Sequence, residues 1–264
     1  MNIFLRELKA NFKSLLIWNV IILFLIFVGM AKFSAFAEDP ELIAMLDAFP
    51  PALMDAINMR SFNLTTVTGY FGIMFVFFSL MGAIAASMWG SDMISKEERD
   101  KTVEFALVLP VSRSKVVTAK ALAALVYCVL FVLIIWGISA IAVQSYAPDK
   151  DFYDFLRLEM VALFLIELIF LAIGLLLGCA MKQYKKAGST AVAIILITYF
   201  LSVAIEINDK LNFLRYITPF KLYDAGKFFV EGKLEWISVV LTAVIVVVSV
   251  GAAYRIYNKR DLMI

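Results

Sequence analysis

The chain contains no histidine. That removes Ser-His and Cys-His nucleophile pairs, imidazole metal sites and histidine proton relays. Cysteine is nearly as scarce: Cys128 and Cys179 are the only two, both inside apolar runs, where buried thiols behave as small hydrophobes. A glycine-rich phosphate loop is missing as well. The two Gly-Lys pairs, Gly226-Lys227 and Gly232-Lys233, lack the upstream glycine and the following Ser or Thr that would cradle phosphate and magnesium. The chain is therefore not expected to hydrolyse nucleotide by itself, and no catalytic residue, metal or resident cofactor is expected in it. Charge is sparse at 17%, against about 25% in soluble domains. A net charge of +2 gives nucleic-acid binding no support.

What is abundant is apolar length. Hydrophobic residues make up 63% of the chain, and crossing the hydrocarbon core as a helix takes about 20 of them in a row. Six windows qualify: Leu15–Ala31, Thr68–Trp89, Ala121–Val143, Leu158–Met181, Ala187–Ile205 and Trp236–Tyr254. Short alternating strands of a closed barrel are absent, so helices must satisfy the backbone in lipid. The expectation is an all-α, six-span integral membrane protein forming one transmembrane domain over residues 1–264.

Lys and Arg favour the cytoplasmic flanks of spans. With both termini cytoplasmic, the inner segments hold Arg6, Lys9, Lys13, Lys96, Arg99, Lys101, Arg113, Lys115, Lys120, Lys182, Lys185, Lys186, Arg255, Lys259 and Arg260, fifteen of the 24 basic residues. Ahead of span 1, Asn2, Arg6, Lys9 and Lys13 fall on one side of a helical wheel and Phe4, Leu8, Phe12 and Leu15 on the other. Residues 1–14 thus read as an interfacial amphipathic helix. The following apolar run is too long for a secretory signal and has no clear cleavage site.

The first outer segment, Phe33 to Asn63, carries a helix start at Asp39-Pro40-Glu41 and a break at Pro50-Pro51. Leu42, Ile43, Met45, Leu46, Phe49, Leu53, Met54 and Ile57 would leave an apolar outer face, suited to the membrane surface or to covering the exit of a pathway. The last outer segment, 208–235, interleaves Phe213, Tyr216, Phe220, Tyr223, Phe228 and Phe229 with Lys210, Arg215, Lys221 and Lys227, broken by Pro219 and Gly226. Aromatic density of this kind suits the water–lipid interface, and two short helices dipping in and returning would fit it as a re-entrant hairpin.

One interior stretch is strongly charged: Ser95 to Lys120, SKEERDKTVEFALVLPVSRSKVVTAK. Ser95 and Glu98 have the spacing of a capping box, which predicts a helix start at Ser95. Pro110 predicts its end, and Ser112 a cap for the helix leading into span 3. A short cytoplasmic helix tied to spans 2 and 3 follows, with Phe105 and Leu107 as apolar anchors among charges. A merely positive-inside loop would not need the five acids Asp92, Glu97, Glu98, Asp100 and Glu104.

The run Glu98-Arg99-Asp100-Lys101-Thr102-Val103-Glu104, then Leu109-Pro110-Val111-Ser112-Arg113 and Lys120, resembles the coupling-helix region of permease subunits of ABC-2 type ABC exporters. Pro219-Phe220 in the last outer loop and the basic ending Tyr257-Asn258-Lys259-Arg260-Asp261-Leu262 extend the likeness along the chain. Lys101 departs from it, since many relatives carry Gly before the Thr. The resemblance implies a half-permease in a prokaryotic plasma membrane, pairing with a second permease protomer, identical or not, and with two copies of a separate ABC ATPase subunit that binds ATP and Mg. It places Glu97, Glu98, Arg99, Thr102, Glu104 and Arg113 of the coupling segment 95–113 against that ATPase, where Phe105 and Leu107 would add the apolar anchor. Drugs, membrane-active peptides, lipids and, in some cases, ions are cargo of such permeases, and the aromatic outer hairpin favours an amphipathic or lipophilic one.

Inside the membrane, Glu167 lies about 14 Å into span 4 at 1.5 Å per residue, where a carboxylate usually faces a partner or a wet cavity. Glu159, Glu167 and Phe220 are the candidate cargo-pathway residues. A proton-coupled secondary transporter using Glu159, Glu167 and Glu206 is the alternative, against which stands the lack of an inverted repeat or paired broken helices. An intramembrane hydrolase lacks its residues, and a scaffold without transport is the remaining class. Gly174 and Gly178, and the Gly82, Ala86, Gly90 series, have the small-residue spacing that lets helices approach closely.

Overall fold

A computed structural model describes residues 3–38, 54, 62–99, 111–148, 150–181 and 183–260. Its helices are α1 (Ile3–Glu38), α2 (Val67–Arg99), α3 (Arg113–Ala142), α4 (Lys150–Ala180), α5 (Tyr184–Ile207), α6 (Pro219–Leu222), α7 (Ala225–Glu231) and α8 (Trp236–Lys259), with 3-10 turns at Gln144–Tyr146 and Asp209–Leu214. Among the described residues there is no strand. Six helices among the described residues are long and apolar enough to cross a membrane: α1, α2, α3, α4, α5 and α8. They match the six expected windows to within one residue at the ends of α3 and α4, and elsewhere run past them.

Two overruns change the expected organisation. Residues 3–14 form no separate helix; they are the first turns of a 36-residue α1, about 54 Å long at helical rise. Within these turns Glu7 is fully buried, while Leu5 and Phe12 are about half exposed. Nor does a helix begin at Ser95. α2 runs unbroken through it to Arg99, and the Ser95 hydroxyl donates back to the Ser91 carbonyl at 2.8 Å. A capping box needs free amides at a chain break, and nothing between Trp89 and Arg99 breaks the helix. The rest of the expected coupling helix, with Thr102, Glu104, Phe105 and Leu107, lies outside the described residues, as does the Asp39 to Pro51 stretch.

Ser112 does cap α3. Its backbone is extended (φ −70°, ψ 149°) and its hydroxyl accepts from the Lys115 amide at 3.4 Å. In the 208–235 segment, Pro219 opens α6, Asp224 caps α7 by accepting from the Gly226 and Lys227 amides at 2.9 and 3.3 Å, and Gly232 ends α7 at φ 65°.

The central pair is α2 and α4, which share the most extensive packing; α4 also packs on α8, α1 on α3, and α2 on α5. Close approach explains the glycines: a Cβ on Gly90 would fall 2.6 Å from the Leu171 carbonyl, and one on Gly178 would fall 2.9 Å from that of Ser91. The small-residue stripes are thus used within the chain. Around this pair, α1, α5 and α8 turn large apolar side chains outward, among them Phe24, Phe27, Ile197, Phe200 and Val247, the surface expected of helices facing lipid or a partner.

Candidate functional site

At one end of the bundle the termini of the long helices meet in a charged network. Glu97, near the end of α2, accepts from Arg6 of α1 at 3.0 Å and from Lys120 of α3. Lys120 is fully buried, and its ammonium also donates to the Met93 carbonyl. Glu7 receives Arg6 at 3.1 Å, Lys96 at 3.5 Å and the Asn11 amide at 3.2 Å. Trp89 donates to Ser14 at 3.0 Å, and Tyr127 of α3 donates to the Leu8 carbonyl. Buried charges persist only when paired and hydrogen-bonded, and such pairs fix geometry more than they add stability.

Residue 260, just past α8, ties a second group. Arg260 donates to Glu98 at 2.6 Å and to the Gly178 and Cys179 carbonyls at 3.0 and 3.1 Å. Those carbonyls end α4, where a cation meets the negative end of the helix dipole. Arg113, opening α3, donates to the carbonyls of Tyr257 at 3.3 Å, Asn258 at 3.4 Å and Arg260. Of the residues expected to face an ATPase, Glu97, Glu98 and Arg113 are therefore held within the chain, and Arg99 is exposed at the end of α2. Neither the role of Glu7 nor the convergence on Arg260 is visible in sequence; the only signals are the basic ending and Lys120 in the motif.

At the opposite end, a cleft of about 60 Å³ opens between α2, α5 and the 208–235 segment, lined by Phe75, Ser79, Tyr199, Glu206, Phe220 and Lys221 among others. Phe220 packs on Phe170 of α4 and edge-on to Tyr199 of α5, with ring centroids 5.6 and 5.7 Å away. Lys221 donates to both Glu206 and Asp224. Beneath, Tyr223 donates to the Ser238 carbonyl at 3.0 Å and shares a hydrogen with Thr242 at 2.6 Å, which pins the segment to α8. Burial pushes the Tyr223 hydroxyl above the usual phenol range, against the opposing effect of Thr242.

Glu159 and Glu167 of α4 are both fully buried; neither carboxyl oxygen of Glu159 finds a hydrogen-bond partner among the described residues, whereas the Cys128 thiol of α3 lies against the Glu167 carboxyl. Glu167 fills the space left by Gly82 on α2, whose Cβ would fall 2.9 Å from Oε1. Both cysteines are buried and free. Among the described residues no cluster of three or more carboxylates or thiols is placed to hold a metal ion.

Six spans of this kind, joined by a charged network at one end, define a multi-pass membrane protein. The family described as ABC-2 family transporter protein matches residues 1–262, and the chain belongs to that family of ABC transporter permeases. No curated protein matches the chain significantly.

Proposed function

We propose that the chain is the membrane-spanning subunit of an ATP-driven exporter in a prokaryotic plasma membrane. It works with a second permease protomer and is powered by two copies of a separate ABC ATPase that carry the ATP and Mg. Both termini lie in the cytoplasm, on the side of the charged network. The ATPase docks on segment 95–113, where Thr102, Glu104, Phe105 and Leu107 supply contact, Arg99 lies beside them, and Glu97, Glu98 and Arg113 hold the flanks.

The observation that carries this reading is the network itself: the ends of α2 and α3 that flank the segment are bonded to each other, to α1 and to Arg260 past the end of α8, and Arg260 in turn to α4. A push delivered there reaches the bundle as a displacement of whole helices. ATP-driven closure of the two ATPase subunits would then tilt α2 and α3 against the partner protomer and open a route for an amphipathic or lipophilic cargo, such as a membrane-active peptide, drug or lipid. The cleft beside Phe220, with aromatic walls and a Lys221 ion pair, suits the exit of such a cargo.

One observation favours a second reading: the fully buried carboxyls of Glu159 and Glu167 on one helix are what a proton-coupled transporter would use. Efflux of a lipophilic dye from vesicles bearing the complex separates the two. ATP-dependent efflux that survives collapse of the proton gradient supports the exporter, and efflux that needs the gradient but no ATP supports the alternative.

A further inference from the structure

We propose that Arg260 is a positioning residue that sets the relation between the ends of α2 and α3, and through them the transmission of ATPase closure into the bundle. The inference rests on the docking reading above, and adds to it a residue distant in sequence from segment 95–113.

The geometry is specific to this residue. Its guanidinium holds Glu98, one residue from the end of α2, while its carbonyl receives Arg113, the first residue of α3. The two flanks of the segment are thus attached to opposite sides of one residue. The same guanidinium donates to the last carbonyls of α4, so α4 is the base against which both flanks are held. The pair is enclosed, with the Arg260 and Glu98 side chains 7% and 8% exposed, so water screens it little. A planar guanidinium can serve a carboxylate and two carbonyls together, whereas an ammonium is a point charge on a flexible stem. Arg260 Nε is buried with no acceptor among the described residues. Neighbouring Lys120 serves a different purpose: it bonds Glu97 and the Met93 carbonyl and does not reach α4 or α8 in these hydrogen bonds.

Moving the end of α2 relative to α3 therefore requires either carrying Arg260, α4 and the end of α8 along, or breaking this clamp. With the clamp intact, a displacement at the segment is shared by α2, α3, α4 and α8. Without it, the ends move separately and the ATPase works against a yielding support.

The test uses spin labels at Arg99→Cys and Val111→Cys for the distance alone, in a chain whose two native thiols are buried, and, separately with Arg99 and Val111 intact and no label, ATP turnover of the co-purified permease–ATPase complex. Arg260→Ala should broaden and shift the distance distribution between the labels. It should also lower kcat for ATP about fivefold or more, while KM for ATP and the amount of ATPase retained stay unchanged; Arg260→Lys should fall between. An unchanged distribution, or a broadened one with unchanged kcat, overturns the positioning role. Should Arg260→Ala fail to fold, Arg260→Lys, which keeps the charge but cannot serve the carboxylate and both carbonyls together, decides by the same two readouts. If the unsubstituted chain retains no ATPase at all, the docking reading fails, and the label distances alone then decide whether Arg260 holds the two ends.

Discussion

Replacing Lys120 with Met removes the one fully buried cation among the described residues while keeping side-chain volume nearly constant. The lysine makes a charged bond to Glu97 and one to the Met93 carbonyl. Breaking a buried pair from one side typically costs about 3–5 kcal/mol, because the remaining charge stays buried. Here the cost should sit below that range, for two reasons: Glu97 keeps Arg6 at 3.0 Å and is 13% exposed, and the Met93 carbonyl lies within α2. About 2 kcal/mol remains, which for a chain of this size lowers Tm by roughly 4–8 °C. A thiol-reactive fluorescent dye measures it directly, since Cys128 and Cys179 are both buried and react only as the bundle opens; a fixed scan rate keeps the comparison valid where unfolding is irreversible. Adding Glu97→Gln should recover part of the loss, because residues sharing one ion pair are non-additive by about 0.5–3 kcal/mol. A Lys120→Met midpoint equal to that of the unsubstituted chain, or strict additivity with Glu97→Gln, would refute the reasoning.

Three further outcomes follow from the packing. Gly174→Leu should abolish stable assembly, since its side chain would enter the Ser87 backbone, whereas Gly251→Ala meets nothing within 4 Å and should be neutral or stabilising by up to about 1 kcal/mol; monodispersity on gel filtration compares them. Asp224→Ala removes the cap of α7 and one partner of Lys221. It should cost about 1 kcal/mol and speed amide exchange in 225–231 with little change in α4. Glu167→Gln, nearly isosteric in the space beside Gly82, should leave Tm within a few degrees, while Glu167→Lys should prevent assembly; equal damage from both would show that the carboxylate itself is required.

Hydropathy was enough to find all six spans, because about 20 apolar residues in a row leave the backbone few options in lipid. Their ends were less legible. α2 continues through Ser95, Lys96, Glu97 and Glu98 although hydropathy falls there, and the Ser-x-x-Glu spacing suggested a start where the helix is merely passing through. Ser112 was read correctly because a hydroxyl two residues after a proline in the sequence is a strong helix-start signal. The wheel of residues 1–14 did not include Glu7, whose burial depends on partners such as Lys96, 89 residues away. The same limit hid the clamp: Glu98 and Arg260 are separated by 162 residues, and charge patterning along a sequence carries no information about such pairs. Glu167 could be singled out from its depth alone, while its place against Gly82 required the packing of α2 on α4.

The central claim is that a separate ATPase drives this chain through segment 95–113. The most direct measurement is to solubilise the chain gently from its native membrane, identify what accompanies it, and assay the preparation for vanadate-sensitive ATP hydrolysis, with Phe105→Asp as the comparison. The account predicts a stoichiometric ATP-binding subunit that hydrolyses ATP and is lost on Phe105→Asp while the permease remains folded. A lone chain without ATP hydrolysis, or a complex that Phe105→Asp leaves intact and active, would contradict it.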